Sequence, residues 1–141
     1  MATLFVFGTL KCGFANYRPG QGTPVLGKVG TVQRYPLRIV GRYKIPWLLN
    51  APGQGLYVSG ELFTVDQQML GQLDRVEGVH HPGWFKRSRI WVRVRKPQGC
   101  RLVRAWVYFG SERELAKQGA TGSFLCEFGS EHNLEYLRNA G

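Results

Sequence analysis

The sequence has few cysteines and no long apolar run, and each shortage excludes a class of protein. The three cysteines, Cys12, Cys100 and Cys126, lie far apart and have no CxxC spacing, which argues against a disulfide framework and a zinc site. This usage favours a reducing compartment. No apolar stretch approaches the ~20 residues of a membrane span, and the N-terminus shows no basic and apolar leader. We therefore expect a soluble, cytoplasmic protein with no membrane partner and no metal.

Acidic residues are scarce as well. Nine Asp and Glu residues stand against nineteen Lys and Arg residues, which gives a net charge of +10. This excess favours an anionic partner, such as nucleic acid, an acidic membrane or a negatively charged substrate, without choosing among them. The scarcity also shortens the search for a catalytic acid or base.

The chain does have enough apolar sequence for one folded domain. With 141 residues, of which 43% are hydrophobic, it can bury a core without disulfides or metal. No repeat, linker or low-complexity tract divides it. We therefore predict a single domain over residues 1–141, acting as a monomer.

Short apolar runs and period-two alternation predict several strands. The run from Thr3 to Phe7 indicates a buried strand that ends at Gly8. Further strands are predicted at Val25 to Tyr35, Leu37 to Val40 and Tyr57 to Val65. A hairpin is predicted from Phe85 to Phe109, because two alternating segments flank a Pro and Gly turn.

Two helices are predicted between and after these strands. The first follows the N-cap candidate Asp66 and stops at Gly78; its apolar residues, at helical spacing, are Met69, Leu70, Leu73 and Val76. Ser111 and Glu114 form a capping box that opens a second, short helix, which Gly119 closes. From Ala120 onward the pattern is mixed, and this segment is expected to wrap the surface.

Glu77 is the carboxylate whose position is hardest to explain by stability. It falls at the C-terminus of the first predicted helix, where the negative end of the macrodipole disfavours a carboxylate. Such a position raises the carboxyl pKa, which suits a general base or proton shuttle. The alternative is an exposed glutamate that the fold tolerates.

The loop Gly8-Thr9-Leu10 after the first strand is a second candidate for function. Successive N–H groups in such a loop form a concavity that accepts an anion or a carbonyl oxygen, and Thr9 adds a hydroxyl. A strand-ending glycine that merely supplies a positive φ angle is the simpler interpretation.

Two other chemistries remain open from the residues alone. His80 and His81 follow Glu77 and suggest a metal site, or a nucleophile pair with Cys12, but no third ligand is apparent. One face of the predicted hairpin interleaves basic residues with an aromatic and could bind single-stranded nucleic acid; its residues are Arg87, Arg89, Trp91, Arg93 and Arg95. A solvated sheet face is the alternative there.

Several motifs, taken in order, carry a family resemblance. The opening Phe5-Val6-Phe7-Gly8-Thr9-Leu10-Lys11 resembles the Tyr-Gly-Thr-Leu signature of the γ-glutamylcyclotransferase-like (AIG2-like) superfamily. The likeness continues through Tyr35-Pro36-Leu37, Gly60-Glu61-Leu62-Phe63 and Leu73-Asp74-Arg75-Val76-Glu77. The segment Ile45-Pro46-Trp47-Leu48-Leu49 is most similar to the γ-glutamylamine cyclotransferase branch.

The resemblance implies a fold and a reaction. The fold would be α+β: a small mixed, mostly antiparallel β-barrel flanked by short helices. The substrate's α-amine would attack its own γ-carbonyl, which releases 5-oxoproline and a free amine, such as lysine from γ-glutamyl-ε-lysine, without a cofactor. A catalytically weak or silent AIG2-like domain that binds nucleic acid through the basic face is the alternative function.

The resemblance also implies a set of site residues. Glu77 matches the catalytic acid/base, and the expected substrate-binding residues are Phe7, Gly8, Thr9, Leu10, Ile45, Pro46, Trp47, Phe85 and Tyr108. Two positions depart from the family pattern. Phe7 replaces the usual tyrosine of the loop signature, and Phe85-Lys86-Arg87 replaces Tyr-x-Arg, so each ring is kept and each hydroxyl is lost.

Overall fold

The computed structural model describes residues 1–140, and within them the backbone forms nine strands and three helices. The strands are β1 (Ala2–Val6), β2 (Thr23–Pro24), β3 (Lys28–Tyr35), β4 (Leu37–Val40), β5 (Ile45–Leu48), β6 (Leu56–Val65), β7 (Lys86–Lys96), β8 (Gly99–Phe109) and β9 (Ala120–Thr121). The helices are α1 (Gln67–Glu77), α2 (Glu112–Gln118) and α3 (Ser130–Ala140). No helix of this part of the chain is long and apolar enough to cross a membrane.

Five of the strands close into a ring. The pairing order runs β1-β8-β7-β3-β6, and β6 pairs with β1 again. All of these pairs are antiparallel except β1 with β8. The α+β fold class is therefore confirmed, and the pairings make its sheet a mixed, mostly antiparallel barrel. A smaller sheet, in the order β5-β4-β9, lies beside it.

Strand β1 is buried on both sides, which explains its continuous apolar sequence. Phe5 belongs to the core cluster that also contains the inward-facing valines of β7 and β8. Leu4 and Val6, which point the other way, pack in a second cluster with Leu70 and Leu73 of α1. The first strand thus joins the two cores, and its end is fixed between them.

Both predicted helices are confirmed, together with their caps. The carboxylate of Asp66 accepts a hydrogen bond from the Met69 N–H at 2.7 Å, and Gly78 ends α1 in the left-handed conformation with φ 70°. The hydroxyl of Ser111 accepts from the Glu114 N–H at 3.0 Å to begin α2. The hairpin is confirmed as the antiparallel pair β7–β8.

The segment after Gly119 contains a strand and a helix that the sequence pattern does not predict. Strand β9 joins the small sheet by pairing with β4, and α3 follows the fully buried Phe128. Leu134 and Leu137 of α3 remain 53% and 49% exposed. The helix therefore lacks the continuous apolar face by which periodicity reveals helices.

Candidate active site

A cavity of about 170 Å³ lies where the end of β1, the start of β5 and the C-terminus of α1 meet. Every predicted site residue except Trp47 lines it. The other lining residues, which the sequence does not single out, are Phe5, Val6, Asn16, Val76, Trp84 and Tyr136. The structure therefore brings the opening loop and Glu77 together, although they are far apart in the sequence.

Glu77 is the last residue of α1, as predicted, and it faces this cavity. Burial of its carboxyl group by surrounding protein raises its pKa from 4.5 to about 7. The direction agrees with the sequence-based expectation, but its cause is desolvation rather than the helix terminus. A carboxyl group with a pKa near neutrality can both accept and donate a proton at physiological pH.

The loop offers three free backbone donors. Within residues 1–140, no protein acceptor is found for the N–H groups of Gly8, Thr9 or Leu10, whereas the Gly8 carbonyl accepts from the Lys11 N–H at 3.0 Å. All three residues line the cavity. Unpaired N–H groups of this kind bind a carboxylate or a developing oxyanion.

Gly8 is required for packing rather than for a positive φ angle. It is absent from the residues of positive φ, so the simpler sequence-based interpretation of this glycine is wrong. A Cβ atom at this position would lie 2.7 Å from Cγ of Pro46. The missing side chain lets Pro46 of β5 close one side of the cavity.

The far end of the loop is held by Glu61 of β6. Its Oε1 accepts a hydrogen bond from the Cys12 N–H at 2.7 Å, so this glutamate has a partner that the sequence does not reveal. Lys11 is only 5% exposed, and burial lowers the pKa of its ammonium group, while the carboxylate of Glu127 opposes this shift. The loop is therefore anchored at Gly8 and again at Cys12.

Helix α3 supplies another wall through Tyr136. The side-chain amide of Asn16 donates to the Thr9 hydroxyl at 2.9 Å and reaches the Tyr136 hydroxyl at 3.5 Å. Asn133 of α3 accepts from the Ala15 N–H at 2.9 Å. These contacts connect the C-terminal helix to the loop, and they explain how an element without an apolar face reaches the cavity.

Tyr108 is held by a charged pair on the other side of the cavity. Its hydroxyl donates to Asp74 at 2.8 Å, and the same carboxylate accepts two hydrogen bonds from Arg87, at 2.9 and 3.1 Å. Burial, and then the hydrogen bond to Asp74, raises the pKa of Tyr108. Tyr108 thus presents a neutral, fixed ring to the cavity.

The prediction that Trp47 contacts substrate is not supported by its position. Trp47 is fully buried, and its indole N–H donates to the Ser111 carbonyl at 2.9 Å. Its ring packs 4.8 Å from that of Phe85, measured between centroids. Trp47 therefore lies behind the cavity wall, where it packs against the lining residue Phe85.

The residues of the alternative chemistries lie elsewhere. Cys12 is a free, exposed cysteine, and neither it nor His80 and His81 lines the cavity. Among residues 1–140, no group of three or more potential metal ligands comes together. The geometry thus favours Glu77 over a cysteine nucleophile at this cavity.

Comparisons with known proteins agree with this arrangement. Residues 4–125 match the family model for γ-glutamyl cyclotransferase, AIG2-like. Rat γ-glutamylaminecyclotransferase is 42% identical over 105 residues, which cover 71% of this chain and 69% of the rat protein. Zebrafish γ-glutamylaminecyclotransferase B is 40% identical over 143 residues, which cover 96% of this chain and 73% of the zebrafish protein.

A solved structure supports the same relationship. The crystal structure of a mouse AIG2-like protein superposes with a TM-score of 0.73 at 34% identity, covering 93% of this chain and 90% of the mouse chain. The matched family region contains the loop and Glu77 but ends before α3. The chain therefore belongs to the AIG2-like γ-glutamyl cyclotransferase family.

Proposed function

We propose that the chain is a γ-glutamylamine cyclotransferase, which converts a γ-glutamyl amine such as γ-glutamyl-ε-lysine into 5-oxoproline and the free amine. One observation carries the proposal: the raised-pKa carboxyl group of Glu77 shares a cavity with three free N–H donors of the opening loop. The rat and zebrafish relatives bear the name of this activity.

The reaction occurs within one substrate molecule. The α-amino nitrogen forms a bond to the γ-carbonyl carbon, and the bond from that carbon to the departing amine breaks. No water, oxidant or group-transfer cofactor enters the balance. Holding the glutamyl chain in a curled conformation can supply several kcal/mol, up to ~7–11 in the best oriented cases.

Glu77 moves the protons that this exchange requires. Its carboxylate takes one proton from the α-ammonium group, which frees the nitrogen to attack, and the resulting carboxylic acid donates that proton to the departing nitrogen as its bond to carbon breaks. The attacking nitrogen loses a second proton as the lactam forms, and Glu77 passes this proton to the freed amine, which leaves as an ammonium ion. A pKa of about 7 suits both steps, because neither protonation state is far from neutral pH. Glu77 ends the cycle ionised, as it began.

The loop stabilises the charge that develops on the substrate. The N–H groups of Gly8, Thr9 and Leu10 donate to the γ-carbonyl oxygen or to the α-carboxylate. The rings of Phe7 and Phe85, each 7% exposed, shape an apolar wall without adding hydroxyl groups. The cavity therefore selects the curled chain by shape and orients it through backbone donors.

Activity should depend on pH through Glu77. Because ionised Glu77 accepts the first proton, kcat/KM should rise about tenfold per pH unit below pH 7 and stop rising steeply above it. Initial rates of 5-oxoproline release between pH 5 and pH 8 measure this dependence. An acidic limb centred near the ordinary glutamate value of 4.5 would contradict the role of the buried carboxyl group.

The function itself is tested with a panel of γ-glutamyl compounds. Purified protein is incubated with γ-glutamyl-ε-lysine, other γ-glutamyl amines and γ-glutamyl α-amino acids, and 5-oxoproline is quantified. We expect 5-oxoproline release from the γ-glutamyl amines. We expect none from α-glutamyl-lysine, because its α-amine cannot close a five-membered ring by attacking the α-carbonyl that is bonded to lysine. Absence of 5-oxoproline across the whole panel would refute the proposed function.

A further inference from the structure

The β7–β8 hairpin carries many cations and no carboxylate. Between Glu77 and Glu112 the chain has no Asp or Glu, and its cations there are Lys86, Arg87, Arg89, Arg93, Arg95, Lys96, Arg101 and Arg104. The net charge of the whole chain is +10, so this segment accounts for most of the excess. Apart from Arg87, which binds the carboxylate that holds Tyr108, the proposed cyclotransferase chemistry uses none of these cations.

The strand register gathers much of this charge on one surface. Arg89 lies opposite Trp106, Trp91 opposite Arg104, and Arg93 opposite Leu102. The residues between them, such as Val92 and Val94, point into the barrel core. We call the outward set the arginine–tryptophan face; it consists of Arg89, Trp91, Arg93, Arg95, Arg104 and Trp106.

The tryptophans lie against the arginines. The Arg89 guanidinium carbon is 4.5 Å from the ring centroid of Trp106, and that of Arg104 is 5.4 Å from the centroid of Trp91. Trp91 nevertheless leaves 48% of its surface exposed. The face therefore combines oriented guanidinium groups with an aromatic surface that is open to a ligand.

These arginines have no acidic partner among residues 1–140. Among the described residues, ion pairs form between Arg87 and Asp74 and between Lys11 and Glu127. None of the four arginines of the face takes part in them. Their charge is thus available to an external anion.

We propose that the arginine–tryptophan face binds single-stranded nucleic acid. The arginines contact phosphates, since guanidinium groups match phosphate geometry in a way that lysine does not, and the exposed ring of Trp91 stacks on a base. Alternate residues of a strand repeat about every 6.8 Å, a spacing that allows neighbouring arginines to meet neighbouring phosphates of an extended strand. A broad barrel surface does not enter a duplex groove, which favours a single strand.

The proposal is tested by fluorescence anisotropy with labelled strands of about 12 nucleotides, RNA and DNA, and with the matching duplex. At about 50 mM salt the full chain should bind both single strands more tightly than the duplex, and affinity should fall steeply as salt rises. The double variant Arg93→Glu/Arg95→Glu should weaken binding at least tenfold. Trp91→Ala should weaken it about tenfold while leaving the salt dependence unchanged.

A matched control carries the same charge change at another site. Arg113→Glu/Lys117→Glu alters two exposed cations of α2 and should change the affinity less than about twofold. All variants should release 5-oxoproline as the wild type does; Arg87 is left intact because Asp74 joins it to Tyr108 of the cavity. If the variants that lose nucleic-acid binding also lost 5-oxoproline release, the arginines would belong to the active site, and the proposal of a binding face separate from it would be wrong.

Three results would overturn the nucleic-acid proposal. The first is no binding of either single strand at low salt. The second is equal affinity for phosphatidylserine vesicles or polyglutamate, which would assign the face to anionic membranes or to anions in general. The third is equal weakening by the control variant, or no effect of Trp91→Ala, since either would indicate diffuse attraction without a defined face.

Discussion

Replacing Glu77 by glutamine is expected to lower kcat for 5-oxoproline release by a factor of about 10²–10⁴, the usual contribution of a positioned acid/base. Glutamine keeps the size and hydrogen-bonding shape of the side chain but cannot accept the ammonium proton or return it. KM should change little, because the loop donors remain in place. Steady-state kinetics with γ-glutamyl-ε-lysine measures the loss, and Glu112→Gln, an exposed carboxylate of α2, serves as the matched control.

The same substitution should increase stability at high pH. The folded-state pKa of Glu77 is about 7, above the value of 4.5 expected when unfolded. Below pH 4.5 the group is protonated in both states and has no effect. Between the two values the unfolded chain loses the proton first, so the folded state becomes progressively less stable, by up to about 3 kcal/mol above pH 7.

Glutamine does not ionise, so it removes this loss of stability at high pH. A variant that is inactive but more stable than the wild type has a catalytic defect and not a folding defect. Urea denaturation should show E77Q to be more stable than the wild type at pH 8 and equally stable at pH 4. Water in the cavity reaches part of the Glu77 side chain, so the stability difference between E77Q and the wild type should be smaller than about 3 kcal/mol. Near wild-type kcat in E77Q, or a loss of activity that merely tracks unfolding, would contradict the proposed role.

Truncation of Trp47 to alanine is expected to lower the free energy of unfolding by about 3–5 kcal/mol, the range for large buried aromatics. The indole is fully buried, it packs against Phe85, and its N–H bonds the Ser111 carbonyl that precedes α2. Its loss would leave a cavity and remove one of the two hydrogen bonds that the Ser111 carbonyl accepts, the other coming from the Leu115 N–H. Chemical denaturation followed by circular dichroism measures the effect.

Trp91→Ala provides the matched control, because it removes the same side chain from an exposed position on β7. We expect it to cost less than about 1 kcal/mol, as for other cross-strand contacts on an open sheet face. Equal losses for the two variants would show that burial does not distinguish them. A stable Trp47→Ala protein with raised KM alone would return Trp47 to the substrate-binding residues.

The parts of the fold that local chemistry determines could be predicted from the sequence. Asp66 and Gly78 bound α1 because a carboxylate caps free N–H groups and glycine adopts positive φ. The family resemblance supplied the association of Glu77 with the Gly8 loop, which no local pattern contains. Which strand edges pair, and hence the ring of five strands, depends on contacts distant in sequence.

Two features of the cavity escaped prediction for physical reasons. Tyr136 belongs to a helix held by polar contacts, namely Asn133 with the Ala15 backbone and Tyr136 with Asn16, and hydrophobic periodicity does not register such contacts. The family resemblance groups Trp47 with its neighbours Ile45 and Pro46, which do line the cavity. Because all three residues are apolar, the sequence pattern does not distinguish a residue that lines a cavity from one buried behind its wall.

The double pairing of β1 determines when the site can form during synthesis. β1 is made first, but its partners β6 and β8 end at Val65 and Phe109. At about 5–20 residues per second, the ribosome needs roughly 5–20 s to extend the chain from the end of β1 to Phe109. During that time the apolar strand β1 cannot pair with both of its partners. Pairings so distant in sequence also fold slowly. The nascent chain therefore carries its most hydrophobic strand unprotected until the barrel closes, and chaperone binding in that interval should centre on residues 2–7.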